Sequence, residues 1–328
     1  MRGYSRPVSL VIEHLYKRFG SVVALDDLSF EVPSGQIFGF LGANGAGKTT
    51  TMRIALGVLA ADLGRVVWNG TDTRELPRNT WGYLPEERGL YPRMVVIDQL
   101  VFFASLQGVP RDLARHDAIG WLRRFRIPEL AERKAEELSK GNQQKIQLIS
   151  AILHGPPVLL MDEPFTGLDP VNVALLREAF LELRDEGRTL IFSTHQMETV
   201  EAMCESIAIV DRGRVVVGGP LREIKRVSGR RIVRLSIEGD HRMAWLSGVA
   251  GARVLRPGID RTDIELDDGV EPGVVLAAAI DAGARVSHFE VAEPSLEQIF
   301  IDHVGRSPDE EVPAAMTGDS GAPGEDAA

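Results

Sequence analysis

The sequence predicts an α/β fold built on a parallel β-sheet, followed by a smaller α+β unit. Three stretches carry that reading. The apolar run Ile37–Leu41 leads into Gly42, Ala43, Asn44, Gly45, Ala46, Gly47, Lys48 and Thr49, the order of a strand, a glycine-rich loop and a helix start. Residues 158–161 are wholly apolar and run into Asp162 and Glu163, as expected of a short strand buried on both faces. From Arg231 onward, strand-like and helix-like segments follow in the order βαββαβ, which suggests a small ferredoxin-like unit.

Taken in order, residues 10–13 and 24–32 read as strands. Phe19, just before Gly20, suits either stacking on a nucleobase or a place in the core. The glycine-rich stretch then sets the chemistry. Gly42, Gly45 and Gly47 allow backbone conformations closed to other residues, so that successive N–H groups converge on oxyanions. The helix that follows turns its positive N-terminus to the same place. Lys48 adds a charge for the β- and γ-phosphates, the Thr49 hydroxyl is placed to ligate a bridging Mg²⁺, and Thr50 is a supporting hydroxyl; Asn44 and Ala46 complete the loop.

The helix is expected to run to about residue 59, followed by a strand at 64–69 and a turn at Asn69-Gly70. A further strand, Trp81–Leu84, delivers a loop at 85–92. Segments 96–108, 111–125 and 129–137 read as helices of an insert spanning about 94–155. Ser139 is placed to cap the next helix, which ends before Gly155-Pro156. Asp162 and Glu163 then fall at the carboxyl edge of the sheet, where open α/β folds bind ligands. A metal-bound phosphate would justify both, Asp162 holding Mg²⁺ through water and Glu163 acting as general base. Gly167, Leu168, Asp169 and Pro170 precede a helix at 171–186 and a strand at 189–193, and His195 follows at the same edge.

Composition sets the bounds. With 328 residues, 44% hydrophobic and 26% charged, the chain has room for two domains of a soluble protein. No uncharged apolar run reaches the ~18 residues of a membrane span, and the N-terminus lacks a signal-peptide core. The net charge of -10 argues against broad nucleic-acid binding. Residues 306–328 hold six acids and one base among Pro, Ala and Gly, the make-up of a disordered acidic tail. The single cysteine, Cys204, suits a reducing compartment and a buried thiol.

With these pieces in order, residues 8–226 resemble the ATP-binding cassette (ABC) family, the motor subunits of ABC transporters. Gly42 to Thr49 matches its Walker A motif and residues 158–162 its Walker B motif. Residues 138–142 match its signature, residues 167–169 its D-loop and His195 its switch histidine, while Phe19 matches the position that stacks on adenine. Two positions depart. The signature, usually Leu-Ser-Gly-Gly-Gln, carries Lys140 and Asn142, although Ser139 and Gly141, which resemble the γ-phosphate donors, are kept. Glu86 replaces the glutamine of the Q-loop and adds a negative charge beside ATP, where a carboxylate can still ligate Mg²⁺ or water.

The phrasing around both departures is similar to the branch of ABC exporter ATPases serving sodium and drug efflux, which carries an extra C-terminal domain. The resemblance implies an ABC domain at 1–226 and an accessory domain at 227–305. In the latter, strands are expected at Arg231–Glu238, 253–255, 263–266 and 285–291, and helices at 241–249 and 274–282. Ser295 and Gln298 form a capping box for a last helix through His303. His241, His288 and His303 lack ligand spacing.

With one Walker A and one signature per chain, the resemblance implies a head-to-tail dimer with a second copy or a related subunit. Ser139, Gly141 and Asp169 of one subunit would close over ATP held by the other, with Mg²⁺ at Thr49, Asp162 and Glu86 and with Glu163 and His195 driving hydrolysis. It also implies a separate transmembrane permease, docked near residues 86–92, and a place on the cytoplasmic face of the membrane. The alternative is a non-transport ABC ATPase acting on ribosomes or nucleic acid, or in regulation or resistance. Relatives acting on ribosomes or DNA usually hold two cassettes or a long coiled-coil insert, and this chain has neither.

Overall fold

The computed structural model describes residues 8–87, 89–227, 231–238, 243–256, 258 and 261–305. The expected acidic tail at 306–328 and His241 lie outside them. The chain divides into two compact units between Gly218 and Gly219, ahead of the boundary expected after Arg226.

The first unit opens with a long hairpin, β1 (Val8–Phe19) and β2 (Val22–Pro33), then β3 (Ile37–Leu41), α1 (Lys48–Ala55), β4 (Leu63–Trp68), β5 (Thr71–Asp72) and β6 (Trp81–Leu84). The helical insert supplies α2 (Val96–Leu106), α3 (Arg111–Arg124) and α4 (Lys140–Ile152). The chain then alternates β7 (Val158–Asp162), α5 (Pro170–Asp185), β8 (Thr189–Thr194), α6 (Met197–Met203), β9 (Ser206–Asp211) and β10 (Arg214–Pro220). Six strands form a sheet in the order β10-β9-β3-β8-β7-β6, parallel from β9 through β6. Every residue of β3, β7 and β8 is buried, the signature of strands covered on both faces.

A second, antiparallel sheet has the order β2-β1-β4-β5. Its inward residues Leu10, Leu25 and Leu28 share one core with Phe38, Phe40 and Leu160 of the large sheet and Met52 of α1. Phe30 lies stacked on Phe38 with ring centroids 5.6 Å apart and is 4.9 Å from Phe40. Fully burying each such ring contributes about 1.5–3 kcal/mol, so this aromatic group anchors β3 and the loop it delivers.

Several expectations are corrected. The helix expected at 129–137 is two 3₁₀ turns, Pro128–Leu130 and Ala135–Glu137. The carbonyls of Ala131 and Arg133 accept instead from the Ile97 and Val96 N–H groups, both at 2.9 Å, and satisfy the orphan donors that begin α2. Helix α1 stops at Ala55 rather than near residue 59, because Gly57 takes a left-handed φ of 67° and closes it. Strands β1 and β2 run well beyond 10–13 and 24–32, since the whole stretch pairs as one hairpin to Phe19–Val22.

The second unit contains α7 (Leu221–Val227), β11 (Arg231–Glu238), β12 (Ala252–Arg256), β13 (Thr262–Leu266), α8 (Pro272–Asp281), β14 (Arg285–Ala292) and α9 (Leu296–Val304). Its sheet is antiparallel in the order β12-β13-β11-β14. Val233, Leu235, Ile264 and Leu266 pack with Leu246, Val275 and Ala279 in a separate core. The helix expected at 241–249 is only a 3₁₀ segment, Ala244–Gly248, entered through Met243 at a φ of 44°. The Ser295/Gln298 capping box at α9 is present in both directions.

Candidate functional site

The loops after β3, β6 and β7 meet around a cavity of about 320 Å³ lined by Asn44, Gly45, Gly47, Lys48, Thr49, Thr50, Glu86, Asp162 and Glu163, with Ala24 of β2 at its side. Gly47 caps α1 with a φ of 108°, and a Cβ there would lie 2.7 Å from the Ala24 carbonyl oxygen, so no larger residue fits. The buried Lys48 ammonium donates to the Gly42 and Ala43 carbonyls at 2.6 and 3.2 Å. Burial pulls its pKa below the usual lysine value, against the opposing pull of Glu163, Asp162 and Glu86. A desolvated ammonium at a glycine loop and a helix N-terminus suits a polyphosphate, whose oxygens would return the charge compensation that water supplied.

Across the cavity, the Thr49 hydroxyl donates to Asp162 Oδ2 at 2.7 Å and the Ser193 hydroxyl to Asp162 Oδ1. Asp162 is 1% exposed. Among the described residues no cluster of three or more His, Cys, Asp or Glu is placed to hold a metal by itself. The donor set of Thr49, Asp162 and Glu86 oxygens fits Mg²⁺, which binds through one or two carboxylates and completes its shell with water and phosphate.

Glu163, next to Asp162 in the chain, is set by a strained backbone, with a φ of 46° that non-glycine residues rarely adopt. Its N–H donates to the Ser193 carbonyl at 3.1 Å, and Phe165 beyond it is locked between Phe180 and Phe192, at 5.3 and 5.6 Å. Both carboxylate oxygens are engaged. Oε1 accepts from His195 N–H at 3.1 Å and lies 2.8 Å from His195 Nδ1, while Oε2 accepts from the Thr194 and Thr166 hydroxyls at 3.0 and 3.2 Å. Thus the two expected catalytic residues are in direct contact, and Ser193, Thr194 and Thr166 join them. The sequence reading missed these hydroxyls; the Ser193-Thr194 pair ahead of His195 was the available signal.

Other expected residues do not line this cavity. Phe19 is half exposed at the end of β1, with Lys17 Nζ 5.5 Å above its ring. Ser139 caps α4 by accepting from Asn142 N–H, and Asp169 caps α5 by accepting from Asn172 N–H at 3.0 Å. Gly141 faces Asn172 so closely that a Cβ would lie 2.7 Å from its Nδ2, and that Nδ2 in turn donates to Asp169 at 2.5 Å. The signature and the D-loop are therefore packed against each other within one chain. Three glutamines also escaped the sequence reading. Gln147 Nε2 donates to the Pro85 and Glu87 carbonyls at 3.3 and 3.0 Å, Gln144 Nε2 to the Pro164 carbonyl at 3.2 Å, and Gln99 Oε1 accepts from Tyr91 N–H at 2.7 Å. Together they tie α4 and α2 to the loops that carry Glu86 and Glu163.

A glycine loop after β3, an acidic pair at the end of β7 and a helical insert between them define a phosphate-loop ATPase with a second, α+β unit. The chain belongs to the ABC transporter family of ATP-binding proteins. Residues 25–166 match the ABC transporter family model, and residues 219–304 match the C-terminal domain of DrrA1-3-like ATP-binding proteins. The uncharacterized ABC transporter ATP-binding protein YhaQ of Bacillus subtilis (strain 168) is 45% identical over 90% of this chain and 98% of its own. From the same organism, the linearmycin resistance ATP-binding protein LnrL is 29% identical over 91% of this chain and 99% of its own. Among solved structures, an ATP-binding subunit of an ABC transporter superposes with a TM-score of 0.63 at 31% identity, covering 67% of this chain and 93% of that one. Proteins of this family hydrolyse ATP to power transport, and their ATP-binding subunits dimerise and work with transmembrane permeases. No helix among the described residues is long and apolar enough to cross a membrane.

Proposed function

We propose that the chain is the ATP-hydrolysing subunit of an exporter, working as a head-to-tail dimer on the cytoplasmic face of the membrane. The observation that carries the dimer is the separation of two half-sites. Lys48, Thr49, Asp162 and Glu163 line one cavity, whereas Ser139, Gly141 and Asp169 sit outside that lining at the starts of α4 and α5. A second subunit would bring its Ser139 and Gly141 to the phosphates, and Phe19 offers an exposed ring for the base. The export reading is supported by the likeness to the Nod factor export ATP-binding protein I of Ralstonia nicotianae, 35% identical over 67% of this chain and 69% of its own.

In this reading Gly42 to Gly47 and Lys48 hold the triphosphate, with Thr49, Asp162 and Glu86 on the metal side. Bound Mg²⁺ would neutralise phosphate charge and orient the terminal phosphate. Glu163 takes the proton of the attacking water, and His195 at 2.8 Å steadies its carboxylate and reports on the phosphate end. The loop at 86–92, clamped by Gln147 and Gln99, links the cavity to the insert and offers the permease its docking surface.

The test is co-purification from detergent-solubilised membranes of the native host, followed by ATPase assays. Recovery with a polytopic membrane protein, and no stimulation by ribosomes or DNA, is expected. Stimulation by ribosomes or DNA with no membrane partner would replace the exporter reading with a non-transport one.

A further inference from the structure

We propose that Glu86 makes the phosphate cavity selective for metal-loaded nucleotide over free nucleotide. This rests on the reading of that cavity as the ATP site. Three carboxylates, Glu86, Asp162 and Glu163, line it against the single ammonium of Lys48 among the lining residues. Two of the three are already occupied. Asp162 accepts from Thr49 and Ser193, and Glu163 accepts from Thr194, Thr166 and His195. Glu86 differs: it is exposed, and no hydrogen bond reaches its carboxylate from the described residues. Its backbone is nonetheless held at the cavity, because the carbonyls on either side of it, Pro85 and Glu87, both accept from Gln147.

A free triphosphate entering this cavity meets a lining that is net negative. The added charge of Glu86 is the part of that repulsion a glutamine would not contribute. No acidic cluster among the described residues holds a divalent cation on its own, so the metal must arrive with the phosphate oxygens. Once it does, Glu86 faces a complex that is less negative and that carries a cation its oxygens can approach. The same carboxylate therefore opposes free nucleotide and tolerates or favours the loaded form.

The experiment is equilibrium binding of a fluorescent ATP analogue to the full chain at fixed ionic strength, once with excess EDTA and once with excess Mg²⁺. Three proteins are compared: the parent, Glu86→Gln, and Glu87→Gln as a neighbouring exposed acid outside the cavity lining. Glu86→Gln is expected to tighten metal-free binding about five- to thirtyfold, with at most about a threefold gain in Mg²⁺, while Glu87→Gln leaves both unchanged. The gain should grow as salt is lowered, since an exposed carboxylate is screened. An unchanged ratio of metal-free to metal-loaded Kd in Glu86→Gln, or an equal change in Glu87→Gln, overturns the proposal. Absence of saturable Mg²⁺-nucleotide binding in the parent would instead overturn the ATP-site reading beneath it.

Discussion

Glu163 has no acceptor position to spare. Four contacts surround its carboxylate, two at each oxygen, so taking a proton from water requires one of them to open. Glu163→Gln keeps the shape but removes the base. Turnover should fall about 10²–10⁴-fold with nucleotide affinity nearly intact. A steady-state ATPase assay beside a binding titration checks this, and near-normal turnover would remove Glu163 from the role. Lys48→Ala tests the opposite side of the cavity. Nucleotide affinity should drop about ten- to hundredfold with the loss of a charged donor. Because the fold holds that ammonium at a desolvation cost, the Tm of the nucleotide-free variant should hold or rise. A fall in Tm with unchanged affinity would make Lys48 structural.

At the scale of elements, α4 is the hub. It carries Ser139 at its start, Gln144 and Gln147 toward the ligand-side loops, and Ala151 against β6, where a Cβ on Gly82 would come within 2.5 Å of the Ala151 carbonyl. Ser139→Ala removes the N-cap and should cost about 0.5–2 kcal/mol in denaturant unfolding. At the other end, His154 Nε2 lies 3.0 Å from the Trp81 carbonyl, and burial pulls its pKa below the ordinary 6.5. A histidine kept neutral by the fold binds fewer protons folded than unfolded. Its contribution is therefore present above pH 6.5 and lost as pH falls toward the lower folded value. Melting curves from pH 7.5 to 5 should show parent stability falling more steeply with acid than that of His154→Leu. Parallel curves would mean that His154 is not buried neutral.

For the molecule as a whole, the divided half-sites predict a dimer that depends on nucleotide. Light scattering of Glu163→Gln with Mg²⁺-ATP should show dimer, and without nucleotide mostly monomer. Adding Gly141→Asp should abolish that dimer while preserving nucleotide binding, because the change falls outside the cavity of its own chain. It also crowds Asn172, so retained binding is the control that the fold survives. A nucleotide-independent dimer would contradict the half-site arrangement.

Much of the candidate site was legible in the sequence, because its residues lie in short contiguous runs. Gly42 to Thr49 and Asp162-Glu163 each state a local backbone form and a set of donors, and the fold places Asn44, Gly45, Gly47, Lys48 and Thr49 around one cavity with Asp162 and Glu163. The sequence by itself determined the large parallel sheet as well, through the unbroken apolar runs of β3 and β7. Only the tertiary structure decided what depends on partners distant in the chain. Residues 129–137 have a helical pattern, yet the carbonyls of Ala131 and Arg133 go to α2; Gln147 reaches across more than half the insert to hold the loop of Glu86; and Thr194 and His195 close on Glu163. A hydrogen bond between residues far apart in sequence leaves no periodicity or spacing to read, since its geometry exists only once the sheet has brought its strand ends together.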